Sequence, residues 1–214
     1  MPRDGTKTRT KILDAALKLS MARGLAATSL DDVIAGAGIT KGSFFYHFSN
    51  KQELATRLVD YFAKFDQQHF ETLTERVENL SRDPLQQVLL LVGLVAEWFT
   101  DSGMDNPGCL FASFCYQSDL WTEDIRKTCQ RQLDVWTDWV EGKLKQGAKT
   151  NPPHGKPDIR TVAEMFNGVF EGAFVLARTA NDPTVINRQL KAYRDYLELL
   201  FSTKPTKPTR RKKS

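Results

Sequence analysis

Between Thr28 and Leu54 the chain reads TSLDDVIAGAGITKGSFFYHFSNKQEL, and the residue types suited to chemistry gather in its middle. Lys41-Gly42-Ser43 sets a cation, a position without a side chain and a small hydroxyl in a row, and Phe45, Tyr46 and His47 follow with an aromatic edge, a phenol and an imidazole. Lys51 adds a second cation. Lysine and tyrosine suit phosphate oxygens, serine and histidine suit base edges, and a glycine permits close backbone approach. Thr28 and Thr40 precede helical stretches, whose free N–H groups favour an anionic oxygen. Together these residues imply contact with duplex nucleic acid.

Such side chains need a short helix held against a partner helix. Thr8 to Arg23 reads as a first helix, because Ile12, Ala15, Ala16 and Leu19 recur on one face. Gly24 stops it. Thr28 or Ser29 caps a second helix, with Asp31 or Asp32 as capping-box partner, and Leu30, Val33 and Ile34 face inward. Gly36-Ala37-Gly38 ends that helix and Thr40 caps a third, running to about His47 or Phe48. Phe44 and Phe48, four apart, anchor it to the Ile12/Leu19/Val33 core. Ser49 or Asn50 caps a long helix reaching about Glu75.

The run Ala37-Gly38-Ile39-Thr40-Lys41-Gly42-Ser43-Phe44-Phe45-Tyr46-His47-Phe48, followed by Lys51, resembles the DNA-binding signature of TetR-family transcriptional regulators. Ile12-Leu13, Ala15-Ala16, Gly24 and Thr28 also fall where that family's first helix and turn place them. Ser20, in place of a large apolar residue, and Val33-Ile34, in place of Ile-Ala, depart from the pattern at packing positions. The resemblance covers about the first 55 residues. It implies an all-α homodimer, with an N-terminal three-helix helix-turn-helix domain and a C-terminal helical bundle that binds a small-molecule effector. It also implies that effector binding weakens affinity for a double-stranded, near-palindromic operator.

The rest of the chain reads as helical too. Pro84 suits the first turn of a helix to about Thr100, 102–108 is dense in turn residues, and Cys109 to Ser118 is a short apolar helix. Thr122 to Gln146 carries Cys129, Leu133, Trp136, Val140 and Leu144 on one stripe. Asp158 to Ala180 and Thr184 to Phe201 form a final pair. The expected organisation is 1–55 for DNA, 56–201 for effector and dimer, and 202–214 as a disordered tail. The tail carries six Lys/Arg and no acidic residue. Residues 1–55 have eight Lys/Arg against five Asp/Glu, and 56–201 sixteen against twenty-one, so a basic end sits on an acidic body.

An apolar effector cavity is expected among the aromatics of 85–180, with Trp98, Phe111, Phe114, Trp136, Phe166 and Phe170 as its candidate lining. Cys109, after Asn106-Pro107-Gly108, should open a helix whose N–H dipoles favour thiolate, which makes it the candidate sensor of electrophiles. The competing reading is a small buried hydrophobe. Gly168 and Gly172, with Ala173 and Ala177 beside them, pair with Leu190, Tyr193, Leu197 and Leu200 as a four-helix dimer interface.

The sequence contains no GxSxG, P-loop, HExxH or dinucleotide-binding glycine fingerprint, so no catalytic residue is expected. Three cysteines without a CxxC pair and three scattered histidines give no reason for a disulfide framework, a metal or a cofactor. Without an apolar span or a signal sequence, the protein is expected in the cytoplasm, with no membrane partner. Two readings compete with an operator-specific regulator: an enzyme, and a sequence-independent nucleic-acid binder that uses the basic tail.

Overall fold

A computed structural model describes residues 5–101, 108–116 and 120–202. The basic tail and the turn-rich stretch before Gly108 lie outside the described residues. Among the described residues the secondary structure is helical throughout: α1 Gly5–Arg23, α2 Leu30–Ala37, α3 Lys41–His47, α4 Lys51–Leu80, α5 Pro84–Asp101, α6 Leu110–Cys115, α7 Glu123–Gly147, α8 Ile159–Ala180 and α9 Thr184–Leu200. The all-α expectation, with three short helices ahead of a larger bundle, is met.

Local chemistry sets the first boundaries. Ser29 caps α2: its hydroxyl accepts from Asp32 N–H at 3.0 Å, and its own N–H donates to Asp32 Oδ2 at 3.0 Å, completing a reciprocal capping box. Gly38 ends α2 with φ 63°, a left-handed conformation that glycine adopts without steric cost. Its N–H and that of Ile39 return to the carbonyls of Ala35 and Ile34. Thr40 then caps α3 by accepting from Ser43 N–H at 3.2 Å, and Asn50 caps α4 by accepting from Glu53 N–H at 2.8 Å. The turn between α2 and α3 is therefore short and fixed at both ends.

Two cores follow. The first gathers Ile12, Ala16, Leu25, Val33, Phe44, Phe48, Leu54 and Leu58 around α1 to α4, and it also takes in Leu110, Phe111 and Phe114 of α6 and Ile125 of α7. The second joins α4, α5, α7, α8 and α9 through residues such as Val92, Trp136, Val140, Phe166, Phe174, Leu190 and Tyr193. α4 passes from one core to the other without a break. It is the mechanical link between them, helped by Arg178 of α8, which donates to the Ala22 carbonyl of α1 at 3.0 Å.

The C-terminal helices correct one expectation. Leu190, Tyr193, Leu197, Leu200, Ala173 and Ala177 are buried within the chain, so they knit α8 to α9 and α5 rather than facing a partner. The apolar residues left in solvent are Val175 and Leu176 on α8 and Tyr196 and Leu199 on α9. Gly168 and Gly172 are open, with nothing within 4 Å of the point where a Cβ would stand.

Candidate DNA interface and ligand cavity

Phe44 and Phe48 are fully buried, with ring centroids 5.7 Å apart, and Arg9 lies over the Phe48 ring. Removing a buried phenylalanine ring costs about 3–5 kcal/mol, so these two rings fix α3 against α1 and α4. Helical geometry then turns Lys41, Gly42, Phe45 and Tyr46 outward: Tyr46 is 83% exposed and Phe45 46%. A large phenol and a large apolar ring held in solvent on a seven-residue helix suit a surface that a partner covers. Ser43 and His47 are half-buried at the edges of the same face. No neighbour comes within 4 Å of a Cβ built on Gly42, so the free protein does not need glycine there.

Two expected contacts are altered. Thr28 is 1% exposed and its hydroxyl donates to the Gly24 carbonyl at 2.9 Å. It closes the turn after α1 from inside, while Ser29 takes the capping role, so Thr28 is withdrawn from the DNA face. Lys51 donates its ammonium to the Ala26 carbonyl at 2.9 Å. In the free protein it ties the start of α4 to the α1–α2 turn, and partial burial lowers its pKa.

The second feature is a cavity of about 290 Å³ between the two cores. Leu17 and Met21 of α1 form one wall, and Phe62, Phe65, Asp66 and His69 of α4 another. Trp98 and Phe99 of α5, Cys109 and Phe111 at the start of α6, Gln132, Leu133 and Trp136 of α7, and Phe166, Asn167, Phe170 and Glu171 of α8 add further walls. Of the expected lining, Trp98, Phe111, Trp136, Phe166 and Phe170 are brought together. Phe114 is not: it is fully buried in the first core and does not border the cavity.

Sequence reasoning missed the polar members. Asp66 Oδ2 accepts from Trp136 Nε1 at 3.1 Å, and burial raises the Asp66 pKa to about 6. Glu171 is raised to about 7, chiefly by burial; a hydrogen bond from Cys109 opposes that shift and the negative Asp66 adds to it. His69 stacks on Phe65 and lies 4.9 Å from Trp98 between ring centroids, and burial lowers its pKa. The signal was legible in principle. Asp66 and His69 interrupt the Phe62–Phe70 apolar stripe of α4, and Glu171 interrupts that of Phe166, Phe170 and Phe174 on α8.

Cys109 does not meet its expectation. It stands at the N-cap position of α6, yet its side chain makes no capping bond. Burial, reinforced by the charge of Glu171, pushes its pKa well above the ordinary thiol value, and neighbouring backbone N–H groups offset only part of this. The thiol is therefore protonated near neutral pH. Cys129, also buried, is pushed up to about 12. Cys115 is the exposed cysteine. Iodoacetamide at pH 7.5, followed by mass spectrometry, should label Cys115 well ahead of Cys109 and Cys129. Labelling of Cys109 first would restore an activated thiol.

A short helix bearing exposed groups on a helix-turn-helix, joined by one long helix to a bundle with an aromatic cavity, is the architecture of a DNA-binding regulator. The model of bacterial regulatory proteins of the tetR family matches residues 12–58, and that of the tetracycline-repressor-like C-terminal domain matches 84–193. The chain belongs to the TetR family; it is a helix-turn-helix transcriptional regulator and not an enzyme. It is similar to the uncharacterized HTH-type transcriptional regulator YxaF of Bacillus subtilis, 28% identical over 83% of this chain and 88% of that protein. It is also similar to the HTH-type transcriptional regulator LmrA of the same organism, 25% identical over 83% of this chain and 89% of that one. A TetR-family regulator from Agrobacterium tumefaciens shares the fold, with a TM-score of 0.76 at 23% identity over 93% of this chain and all of that one. Among the described residues, no helix is long and apolar enough to cross a membrane.

Proposed function

We propose that the protein is a homodimeric cytoplasmic repressor that a small, reversibly bound aromatic effector releases from a near-palindromic operator. The observation that carries this reading is the position of the cavity. Leu17 and Met21 of α1, and Phe62 through His69 of α4, wall it on one side, and those two helices hold α3. A ligand that props this wall open shifts α1 and α4 together, and with them the separation of two α3 helices in a dimer. Half-sites on duplex DNA lie about 34–36 Å or a multiple apart, so small displacements of α1 and α4 suffice to break the register of one half of the dimer. The exposed apolar residues Val175, Leu176, Tyr196 and Leu199, beside the open Gly168 and Gly172, support α8 and α9 as the dimer face. The raised thiol pKa of Cys109 favours reversible occupancy over covalent modification as the release signal.

Selection of duplexes from a random pool, followed by sedimentation of the complex, tests the proposal. The expected result is a two-fold symmetric consensus bound by a dimer. A monomer on DNA, or affinity that ignores sequence and follows salt alone, would leave the protein as a non-specific nucleic-acid binder.

A further inference from the structure

The polar atoms of the cavity carry information about what fills it. Two helices bring a carboxylate to the same aromatic space, Asp66 from α4 and Glu171 from α8, and Gln132 of α7 borders it. Gln132 is only 8% exposed, and its Oε1 is buried without a hydrogen-bond partner. Asp66 receives the Trp136 indole N–H, and Glu171 has the Cys109 thiol, a weak donor. The remaining amide donor of the lining, Asn167 Nδ2, is committed to the Leu133 carbonyl at 3.0 Å and to Thr137 Oγ1 at 2.9 Å. Among the described residues no Lys or Arg lines the cavity, and the sequences of 102–107 and 117–119 contain neither.

Two carboxylates and an orphaned amide oxygen in an apolar enclosure are costly to keep. An anionic ligand would add like-charge repulsion to that cost. A neutral hydroxyl would satisfy one acceptor and leave the charge uncompensated. A nitrogen cation bearing N–H groups supplies both the missing donors and the missing charge, and the faces of Trp98, Phe99 and Phe170 offer cation–π contact to it. The volume of about 290 Å³ lies at the small end of ligand sites, which span about 300–1,000 Å³, so one or two rings fill it.

We propose that the effector is a small aromatic monocation, an amine with one or two rings, whose N–H groups donate to Asp66 and Glu171 while its rings pack among the cavity aromatics. This assignment rests on the reading of the cavity as the effector site. Binding a cation favours the ionised carboxylates, so complex formation expels protons and affinity rises with pH across the range in which Asp66, about 6, and Glu171, about 7, titrate. The other titratable groups facing the cavity are His69 on α4, whose pKa burial lowers, and Cys109, whose pKa burial and Glu171 push well up; the linings from α1, α5 and α7 contribute none.

Three ligands of nearly equal shape test the charge: 1-naphthylmethylammonium, 1-naphthylmethanol and 1-naphthoate, titrated calorimetrically into the full-length protein without DNA. The ammonium should bind at least about tenfold more tightly than the alcohol, with the carboxylate weakest, and its affinity should rise between pH 5.5 and 8. Glu171→Gln and Asp66→Asn should each shrink the ammonium–alcohol ratio, and Leu133→Trp, which fills the cavity, should abolish binding of both. Alcohol binding as tight as ammonium binding, lost in Leu133→Trp, would overturn the cation assignment and keep the cavity as the effector site. Ammonium binding unchanged by Leu133→Trp would overturn the site itself. No binding of any of the three would overturn the assignment. The wild-type comparison stands whether or not a variant folds.

Discussion

Gly42→Glu should abolish operator binding, by about a hundredfold or more, and leave the protein folded. The two halves of this expectation have separate causes. Gly42 lies in the first turn of α3, exposed, and a Cβ built there meets no atom within 4 Å. Its backbone is helical, so any residue fits. Replacing glycine in a helix recovers about 1 kcal/mol of propensity, and a carboxylate in the first turn complements the helix dipole. The melting temperature should hold or rise slightly. In the proposed complex the same position faces the duplex, beside Lys41 and Tyr46. There a glutamate blocks close backbone approach and sets a negative charge against phosphate. Gly42→Ala, with the bulk of one methyl and no charge, should fall between wild type and glutamate. Anisotropy titration on the selected operator, alongside thermal melting, reads both effects. Wild-type affinity in Gly42→Glu would show that α3 is not the helix that enters the groove.

The DNA end of this molecule was unusually legible because its determinants are local. Capping residues, one obligatory left-handed glycine and a four-residue spacing of Phe44 and Phe48 fix α2, the turn and α3 within twenty residues. Thr28 was misassigned because its role depends on a tertiary turn: sequence places it next to a helix start, and only the fold turns its hydroxyl inward to Gly24. The cavity was half legible. Aromatics at helical spacing announce an apolar interior, but which of them border empty space depends on how five helices pack, so Phe114 was lost to the other core. The polar lining was missed for the same reason. Asp66 and Glu171 are far apart in sequence, and nothing local says that their helices meet. Cys109 shows a further limit: its position at a helix start was read well, but burial and a carboxylate from α8 decide its pKa.

Glu171→Gln should stabilise the protein at pH 7.5 and do so much less at pH 5. The folded-state pKa of Glu171, about 7, lies above the ordinary glutamate value of 4.5. Between those values the folded protein holds a proton that the unfolded chain has released, so stability falls as pH rises. The loss begins near pH 4.5, below which both states are protonated, and is complete above pH 7, where the folded protein carries a buried, poorly paired carboxylate. Glutamine keeps the shape and never ionises, so it escapes this loss. A shift of the size of that in Glu171 sets an upper bound of about 3 kcal/mol; after relaxation of the site, about 1–2 kcal/mol is expected. For a chain of this length that corresponds to about 3–6 °C in Tm, measured at fixed protein concentration, since the proposed dimer would make Tm depend on it. Asp66→Asn should act in the same direction, with its transition about one pH unit lower. An equal gain at pH 5 and pH 7.5 would trace the effect to packing rather than ionisation. A loss at pH 7.5 would mean that Glu171 already has a strong partner inside the protein, and a carboxylate so satisfied would have no cause to wait for a ligand. The expected gain is therefore the stability that the apo-protein forgoes by keeping an acidic group with only a thiol donor in an aromatic cavity, and binding of a cation would recover it in the wild type but not in Glu171→Gln.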